Sequence, residues 1–268
     1  MYVYSPASIT SFFVIEENGS SGVSICLNEG VSTIIGDGTG IYFNGEVIEN
    51  SLQENILNIM NKNCKIESVT KFPISQGLGI SAGTVLSTAF ALNEHFNLNK
   101  TGLELAKIAH EVEVKNRTGL GDVCAQFNGG VLWRRSPGLE DAKKMLFNDK
   151  IVIAVVGNSI VTKDVIDNQE KVDTINKIGR ECFSKMYPEI SLKEIIKLGR
   201  KFSESSGLIT DSVKNALQDG DKYGTVSMAM LGNTVYGIGD VEKLSEVWRN
   251  YGEVFILEID KKGARVLK

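Results

Sequence analysis

Cysteine is scarce in this chain, and its few thiols are scattered. The 268 residues hold four, Cys26, Cys64, Cys124 and Cys182, with no Cys-x-x-Cys pair. That spacing argues against both a zinc site and a disulfide framework, so a reducing, cytoplasmic setting is expected. Histidine is scarcer still, with only His95 and His110. His95 closes a helical stretch and His110 lies inside one. Neither has the hydroxyl and carboxylate neighbours of a catalytic triad, and both read as structural. Long apolar runs are missing as well. The longest, Ile151–Val156, is far too short to cross a bilayer. Met1-Tyr-Val-Tyr-Ser-Pro6 lacks the basic residues and apolar core of a secretory leader. Positive charge is not in excess either. The net charge is -4, and the doublets Lys143-Lys144 and Lys261-Lys262 are too short for a nucleic-acid stripe. A soluble chain with neither a membrane nor a nucleic-acid partner is the expectation.

What is present is enough for a packed core. Apolar residues make up 42% of the chain, and the length suits one large domain or two modest ones. Short β-rich runs open it: Ser8–Ile15, Val23–Leu27, Val31–Ile35, Ile41–Phe43 and Glu46–Ile48, with glycine-rich turns between them. Asn44-Gly45 predicts a hairpin. Helices are expected over Leu52–Asn61, over the apolar stretch Ala82–Phe96, and from Thr101 to about Val114. The pair Thr101 and Glu104 forms a capping-box pattern for the last of these. Val131–Arg135 reads as a strand. The composition shifts near Asn148, which divides the chain into residues 1–148 and 149–268. Beyond it come a buried strand from Ile151 and helices over about Lys163–Met186, Ser191–Ser205 and Thr210–Gln218. Tyr223–Met230 reads as helical, Thr234–Ile238 as extended, Val241–Tyr251 as helical and Val254–Glu258 as a strand.

The chemistry gathers in four places. Pro73-Ile-Ser-Gln-Gly-Leu-Gly-Ile-Ser-Ala-Gly83 is a flexible loop that feeds a helix N-terminus, where unpaired N–H groups and the helix dipole favour a phosphate. A lone Gly-x-Gly is equally a plain turn. Gly119-Leu-Gly121-Asp122 places a carboxylate in a tight glycine turn, suited to taking a proton from a hydroxyl or simply to closing the turn. Glu111 and Glu113 lie on the preceding helix. Either could join Ser81 around Mg²⁺, which needs only one or two oxygens from protein. Arg134-Arg135 follows the double glycine 129–130. Strand alternation lets only one of the two point into a given cleft, where it could grip a carboxylate. Rival nucleotide motifs fit poorly. There is no Gly-x4-Gly-Lys-Ser/Thr loop. Gly77-x-Gly79-x-x-Ala82 matches a dinucleotide fingerprint only formally, because the ribose-binding second strand is missing.

Pro73-x3-Gly-Leu-Gly-x-Ser81-Ala resembles the phosphate motif of the GHMP small-molecule kinases, with Ile80 in place of its first serine. Asp122 with Gly129-Gly130 is similar to that family's catalytic turn. Met228-Ala-Met-Leu-Gly-Asn-Thr-Val-Tyr-Gly237 resembles its third motif. Within the family, Pro6-Ala-Ser-Ile-Thr10, Glu113–Val123 and Ser227–Thr234 are most similar to the archaeal branch that acts on pantoate. One departure is the N-terminal motif. Ser5-Pro-Ala-Ser-Ile-Thr lacks the lysine that many relatives carry, leaving Asp122 alone or with Lys115 or Arg117. The resemblance implies an α+β fold of two lobes, the first like ribosomal protein S5 domain 2 and the second ferredoxin-like. It implies ATP along Gly77, Leu78, Gly79, Ile80, Ser81, Ala82 and Gly83, with Mg²⁺ held by Ser81 and Glu113 and with Asp122 as the catalytic residue. Pantoate, a hydroxy acid, would meet Arg134, with Arg135 as the fallback, and Thr162. Kinases for homoserine, shikimate or mevalonate-type acids share the same phosphate chemistry. A non-enzymatic nucleotide- or dinucleotide-binding protein, or a dinucleotide oxidoreductase, is the remaining class. A homodimer is the default expectation for assembly.

Overall fold

Two long strands at the start of the chain carry the architecture. The computed structural model describes residues 1–158 and 167–267. In it β1 (Tyr2–Glu16) and β2 (Gly19–Gly36) pair antiparallel over nearly their whole length. Both are longer than the runs their sequence suggests. The reason lies in the register, which shifts between Pro6 and Ala7 and again between Thr10 and Phe12. Pro6 pairs with Gly30 and Ala7 with Leu27, so a bulge absorbs Asn28 and Glu29 without ending the strand.

The first sheet runs in the order β12-β1-β2-β5-β3-β4, and β6 joins β2 to β7. Its other members are β3 (Gly40–Phe43), β4 (Glu46–Val47), β5 (Lys65–Val69), β6 (Val131–Arg134), β7 (Ala142–Met145) and β12 (Arg265–Leu267). The hairpin between β3 and β4 turns on Asn44 and Gly45 at φ 50° and 87°, as the dipeptide predicts. Helices α1 (Leu52–Met60), α2 (Ile80–Phe96) and α3 (Gly102–Asn116) share an apolar core with this sheet, and α4 (Asp122–Asn128) leads into β6. Helix α2 is buried along most of its length, consistent with apolar residues on all its sides. The capping box at Thr101 and Glu104 forms as predicted.

The second sheet comprises β8 (Lys150–Val155), β9 (Gly224–Ala229), β10 (Thr234–Gly239) and β11 (Glu253–Glu258) in the order β11-β8-β10-β9, antiparallel throughout. Counted within this half alone that is 4-1-3-2, the ferredoxin-like order. Helices α5 (Gln169–Phe183), α6 (Leu192–Ser206), α7 (Asp211–Gly220) and α8 (Val241–Trp248) accompany it. The protein is therefore a two-lobed α+β fold. One expectation fails here: the segment 223–230, expected to be helical, holds strand β9 instead. Methionine and alanine favour helix locally, but pairing of Gly224–Ala229 with β10 overrides that preference. Strands β7 and β12 carry no recognisable sequence pattern. No helix among the described residues is long and apolar enough to cross a membrane.

Strand β1 ties the lobes together. Phe12 and Phe13 meet Phe183 of α5 and Phe202 of α6. The Asn176 side chain accepts from Ile15 N–H at 2.6 Å and donates to Ile15 O at 2.9 Å, clamping the strand end to α5. Met230 N–H donates to Thr10 O at 3.0 Å from the other side. Asn176→Ala is expected to lower the unfolding free energy by about 1–2 kcal/mol in urea titrations. A loss below about 0.3 kcal/mol would show that the clamp adds nothing.

Candidate active site

A cleft of about 360 Å³ opens where the lobes meet. Its walls are Thr10, Phe13 and Ser20 of the β1–β2 pair, residues 74–82, the stretch 116–122 with Glu113, Arg134 of β6, and Met230-Leu231 of the second lobe. The folding of each wall follows from local chemistry.

The glycine loop ends in an unguarded helix start. Gly79 is the N-cap of α2 at φ 63°, and no side chain caps it. The N–H groups of Ile80, Ser81 and Ala82 fall in the first turn, where an α-helix offers no internal acceptor. Gly79 has to be glycine on two counts. Its φ is left-handed, and a Cβ there would sit 2.4 Å from Ser8 Oγ. The loop is tied down by its neighbours. Leu78 O accepts from Ser8 N–H at 3.0 Å, and Gly79 O accepts from Gln126 Nε2 at 2.7 Å. The buried Gln76 accepts from Asn233 N–H and Thr234 Oγ1 and donates to Gly157 O. The third glycine-containing motif thus grips the loop directly. Ile80 is buried in the core, so only its backbone faces the cleft. Gly83 stands apart from residues 77–82. It lies against Val31, and its N–H is already bonded to Gly79 O.

Asp122 begins α4 and is half-buried. Its Oδ1 accepts from Ser8 Oγ at 3.0 Å and from Thr10 Oγ1 at 3.3 Å. Hydroxyls of β1 therefore stand around the carboxylate in a motif that lacks a lysine. Lys115 is exposed on α3 and does not line the cleft. Arg117 does line it, and its guanidinium pairs with Asp167.

Glu113, only 2% exposed, faces the helix start. Its Oε1 accepts from Ser81 Oγ at 2.5 Å and from Thr118 Oγ1 at 2.9 Å. Burial, helped by the charge of Asp122, pushes its pKa up to about 7 against the opposing pull of those two hydroxyls. A buried carboxylate with only hydroxyl partners suits a cation beside Ser81. Among the described residues no cluster of three or more His, Cys, Asp or Glu surrounds a common point. Glu111, the other carboxylate considered, is exposed.

Arg134 is 1% exposed. Nη1 donates to Ser24 Oγ at 2.8 Å, Nη2 reaches Ser20 Oγ at 3.5 Å, and Nε has no partner among the described residues. A Cβ on Gly121 would lie 2.6 Å from this guanidinium, so glycine lets the turn pass over it. Arg135 points the other way and pairs with Asp141 at the surface, as strand alternation requires. Thr162 lies outside the described residues. Sequence reasoning misses Ser8, Thr10, Ser24, Gln76 and Gln126. Two signals point to some of them: Ser8 and Thr10 are two apart on one strand face, and Gln126 is one helical turn past Asp122.

The chain is 32% identical to the pantoate kinase of Methanospirillum hungatei over 98% of its own length and 95% of the relative's. It belongs to the GHMP kinases. The model of the GHMP kinases N terminal domain matches residues 45–130. The pantoate kinase of Methanocaldococcus jannaschii is also 32% identical, covering 91% of this chain and 94% of that one. A solved structure titled "Phosphotransferase related to CoA biosynthesis pathway" superposes with a TM-score of 0.85 at 27% identity, covering 98% and 97% of the two chains. The lobes and cleft described above are thus those of a GHMP kinase.

The buried Glu113 gives this GHMP kinase a pH-dependent stability. Its ordinary pKa is 4.5, against about 7 when folded. Below 4.5 both states carry the proton. Between those values the folded state keeps a proton that the unfolded chain has released, so stability falls as pH rises through the window and is level above it. In chelator, Glu113→Gln is expected to be more stable than the parent at pH 8 by about 2–3 kcal/mol, with the gap closing by pH 5. Urea titrations across that range test it. A gap that does not change with pH would mean that Glu113 stays ionised in the fold.

Proposed function

We propose that this enzyme, an ATP-dependent small-molecule kinase, transfers the γ-phosphoryl group of ATP to the 4-hydroxyl of pantoate, giving 4-phosphopantoate for coenzyme A biosynthesis. The relatives named as pantoate kinases support the substrate. The observation that carries the reading is the buried guanidinium of Arg134. It shares a cleft with Asp122 and, among the described residues, has no ion-pair partner and no acceptor for its Nε. A buried charge of this kind needs an anionic partner, and the carboxylate of a hydroxy acid is one. Phe13, Leu120, Met230 and Leu231 give the same cleft apolar walls suited to a branched carbon skeleton.

The roles follow from position. The N–H groups at 80–82, with Gly77, Leu78 and Gly79, cradle the polyphosphate of ATP. Ser81 and Glu113 hold Mg²⁺, which supplies charge neutralisation among the phosphate oxygens. Asp122 orients the acceptor hydroxyl and takes its proton, while Arg134 fixes the far end of the acid. The gain comes mostly from alignment and charge. We take residues 1–148 as the nucleotide lobe and 149–268 as the second lobe, in a cytoplasmic enzyme that assembles as a homodimer.

ADP release against a panel of hydroxy acids and alcohols tests the reading. Pantoate is expected to be the preferred acceptor, and preference for homoserine, shikimate or mevalonate would overturn it. Asp122→Asn should keep ATP affinity and lose turnover by about 100-fold or more. Arg134→Ala should raise the KM for pantoate by about tenfold or more with the KM for ATP unchanged. An unchanged pantoate KM would move the grip elsewhere.

A further inference from the structure

Between Arg134 and Asp122 stand two hydroxyls, those of Ser24 and Thr10. Arg134 Nη1 donates to Ser24 Oγ at 2.8 Å. Ser24 Oγ and Thr10 Oγ1 are 2.9 Å apart, and Thr10 Oγ1 is 3.3 Å from Asp122 Oδ1. A hydroxyl pair alone leaves the direction of its hydrogen bond open. The two ends of this chain fix it. A guanidinium can only donate, and an ionised carboxylate can only accept. Thr10 has a single proton and Asp122 Oδ1 takes it, so Thr10 accepts from Ser24, whose oxygen in turn accepts from Arg134.

A second chain arrives from the glycine loop. Gln126 Nε2 donates both to Gly79 O at 2.7 Å and to Ser8 Oγ at 3.0 Å. An amide nitrogen is also donor-only, so the Ser8 proton goes to Asp122 Oδ1, 3.0 Å away. Both chains end on the same oxygen. Oδ1 carries two inward hydrogen bonds, and no protein donor is assigned to Oδ2 among the described residues.

We propose that Thr10 and Ser24 are positioning residues, forming a one-way hydroxyl chain from the acid grip at Arg134 to Asp122 that immobilises Oδ1 and leaves Oδ2 as the oxygen that meets the acceptor hydroxyl. Neither residue takes a proton from substrate. Thr10 fixes the rotation of the carboxylate. Ser24 fixes Thr10 and at the same time shapes Arg134, so the seat of the acid and the aim of the base share one strand pair, β1 and β2. The inference rests on the roles proposed above for Asp122 and Arg134.

Three substitutions at residue 10 separate hydroxyl from packing. Valine keeps the shape of threonine and loses the hydroxyl. Serine keeps the hydroxyl and loses the methyl. Alanine loses both. Thr10→Val and Thr10→Ala are expected to lower kcat by about 10- to 100-fold, with the KM values for ATP and pantoate within about threefold. Thr10→Ser should stay within about threefold of the parent in kcat. The thermal midpoint of the ligand-free protein reports whether each variant folds. If Val misfolds, the Ala and Ser pair still isolates the hydroxyl. Ser24→Ala should raise the KM for pantoate by about tenfold through Arg134 and lower kcat less than Thr10→Val does. In the double variant kcat should fall no further than in Thr10→Val, because the two residues act in series. Full activity of Thr10→Val, loss of activity in Thr10→Ser, or multiplied losses in the double variant would each overturn the chain. Asp122→Asn, run alongside, keeps the two readings apart. If it stays active, the proposed role of Asp122 fails. If it is silent while Thr10→Val is fully active, only the hydroxyl chain fails.

Discussion

Two buried ionisable side chains, Glu113 and Arg134, line one cleft without pairing with each other. Each is almost fully covered by protein, and each is met by hydroxyls. Burying unpaired charge is unfavourable, and a direct ion pair would be the simple remedy. The fold denies it that remedy, and the rest of the site follows. The carboxylate faces the helix start that suits phosphate and a cation. The guanidinium faces the end that suits a carboxylate. Asp122 lines the same cleft and is held by β1.

The scaffold explains how such a site stays open. Strand β1 is buried along nearly all its length and contributes to both lobes, with Phe12 and Phe13 packed against α5 and α6. Small hydroxylated residues, Ser5, Ser8 and Thr10, occupy its opposite stretch, near α4 and the glycine loop. The strand is therefore apolar where it packs on the second lobe and polar where it holds the turn at Asp122. The bulge between Thr10 and Phe12 separates the two stretches. The glycine loop is fixed from both sides, through Ser8 and Gln126 in the first lobe and through Asn233 and Thr234 in the second. A loop restrained in this way presents its N–H groups without having to be ordered by the ligand.

Much of this is legible in the amino-acid sequence. The loop at 77–83, the turn at 119–122 and the segment at 228–237 are carried by glycines at fixed offsets, and glycine placement is a local backbone requirement. The capping box at Thr101 and the hairpin at Asn44-Gly45 are local as well. Residues 223–230 mislead because their Met and Ala have the propensity of a helix while the partner strand lies elsewhere. β7 and β12 escape notice for the same reason: short strands with ordinary composition exist only because a neighbour completes their hydrogen bonds. The choice between Arg134 and Arg135 could not be made from sequence. Alternation says that one of them faces inward, and the register of β6 against β2 decides which.

By itself, then, the sequence determined the chemistry on offer: a helix start free for an anion, a carboxylate in a glycine turn, and an arginine after a double glycine. These are short-range facts written in adjacent residues. Only the tertiary structure decided that Thr10 and Ser24 would stand between Asp122 and Arg134, that Ser8 would meet Asp122, and that Gln126 would hold the loop. Those contacts cross long stretches of chain, 112 positions between Thr10 and Asp122 and 47 between Gln126 and Gly79. A hydroxyl has no partner preference strong enough to announce it in sequence. Its role is set by what the fold places within about 3 Å of it.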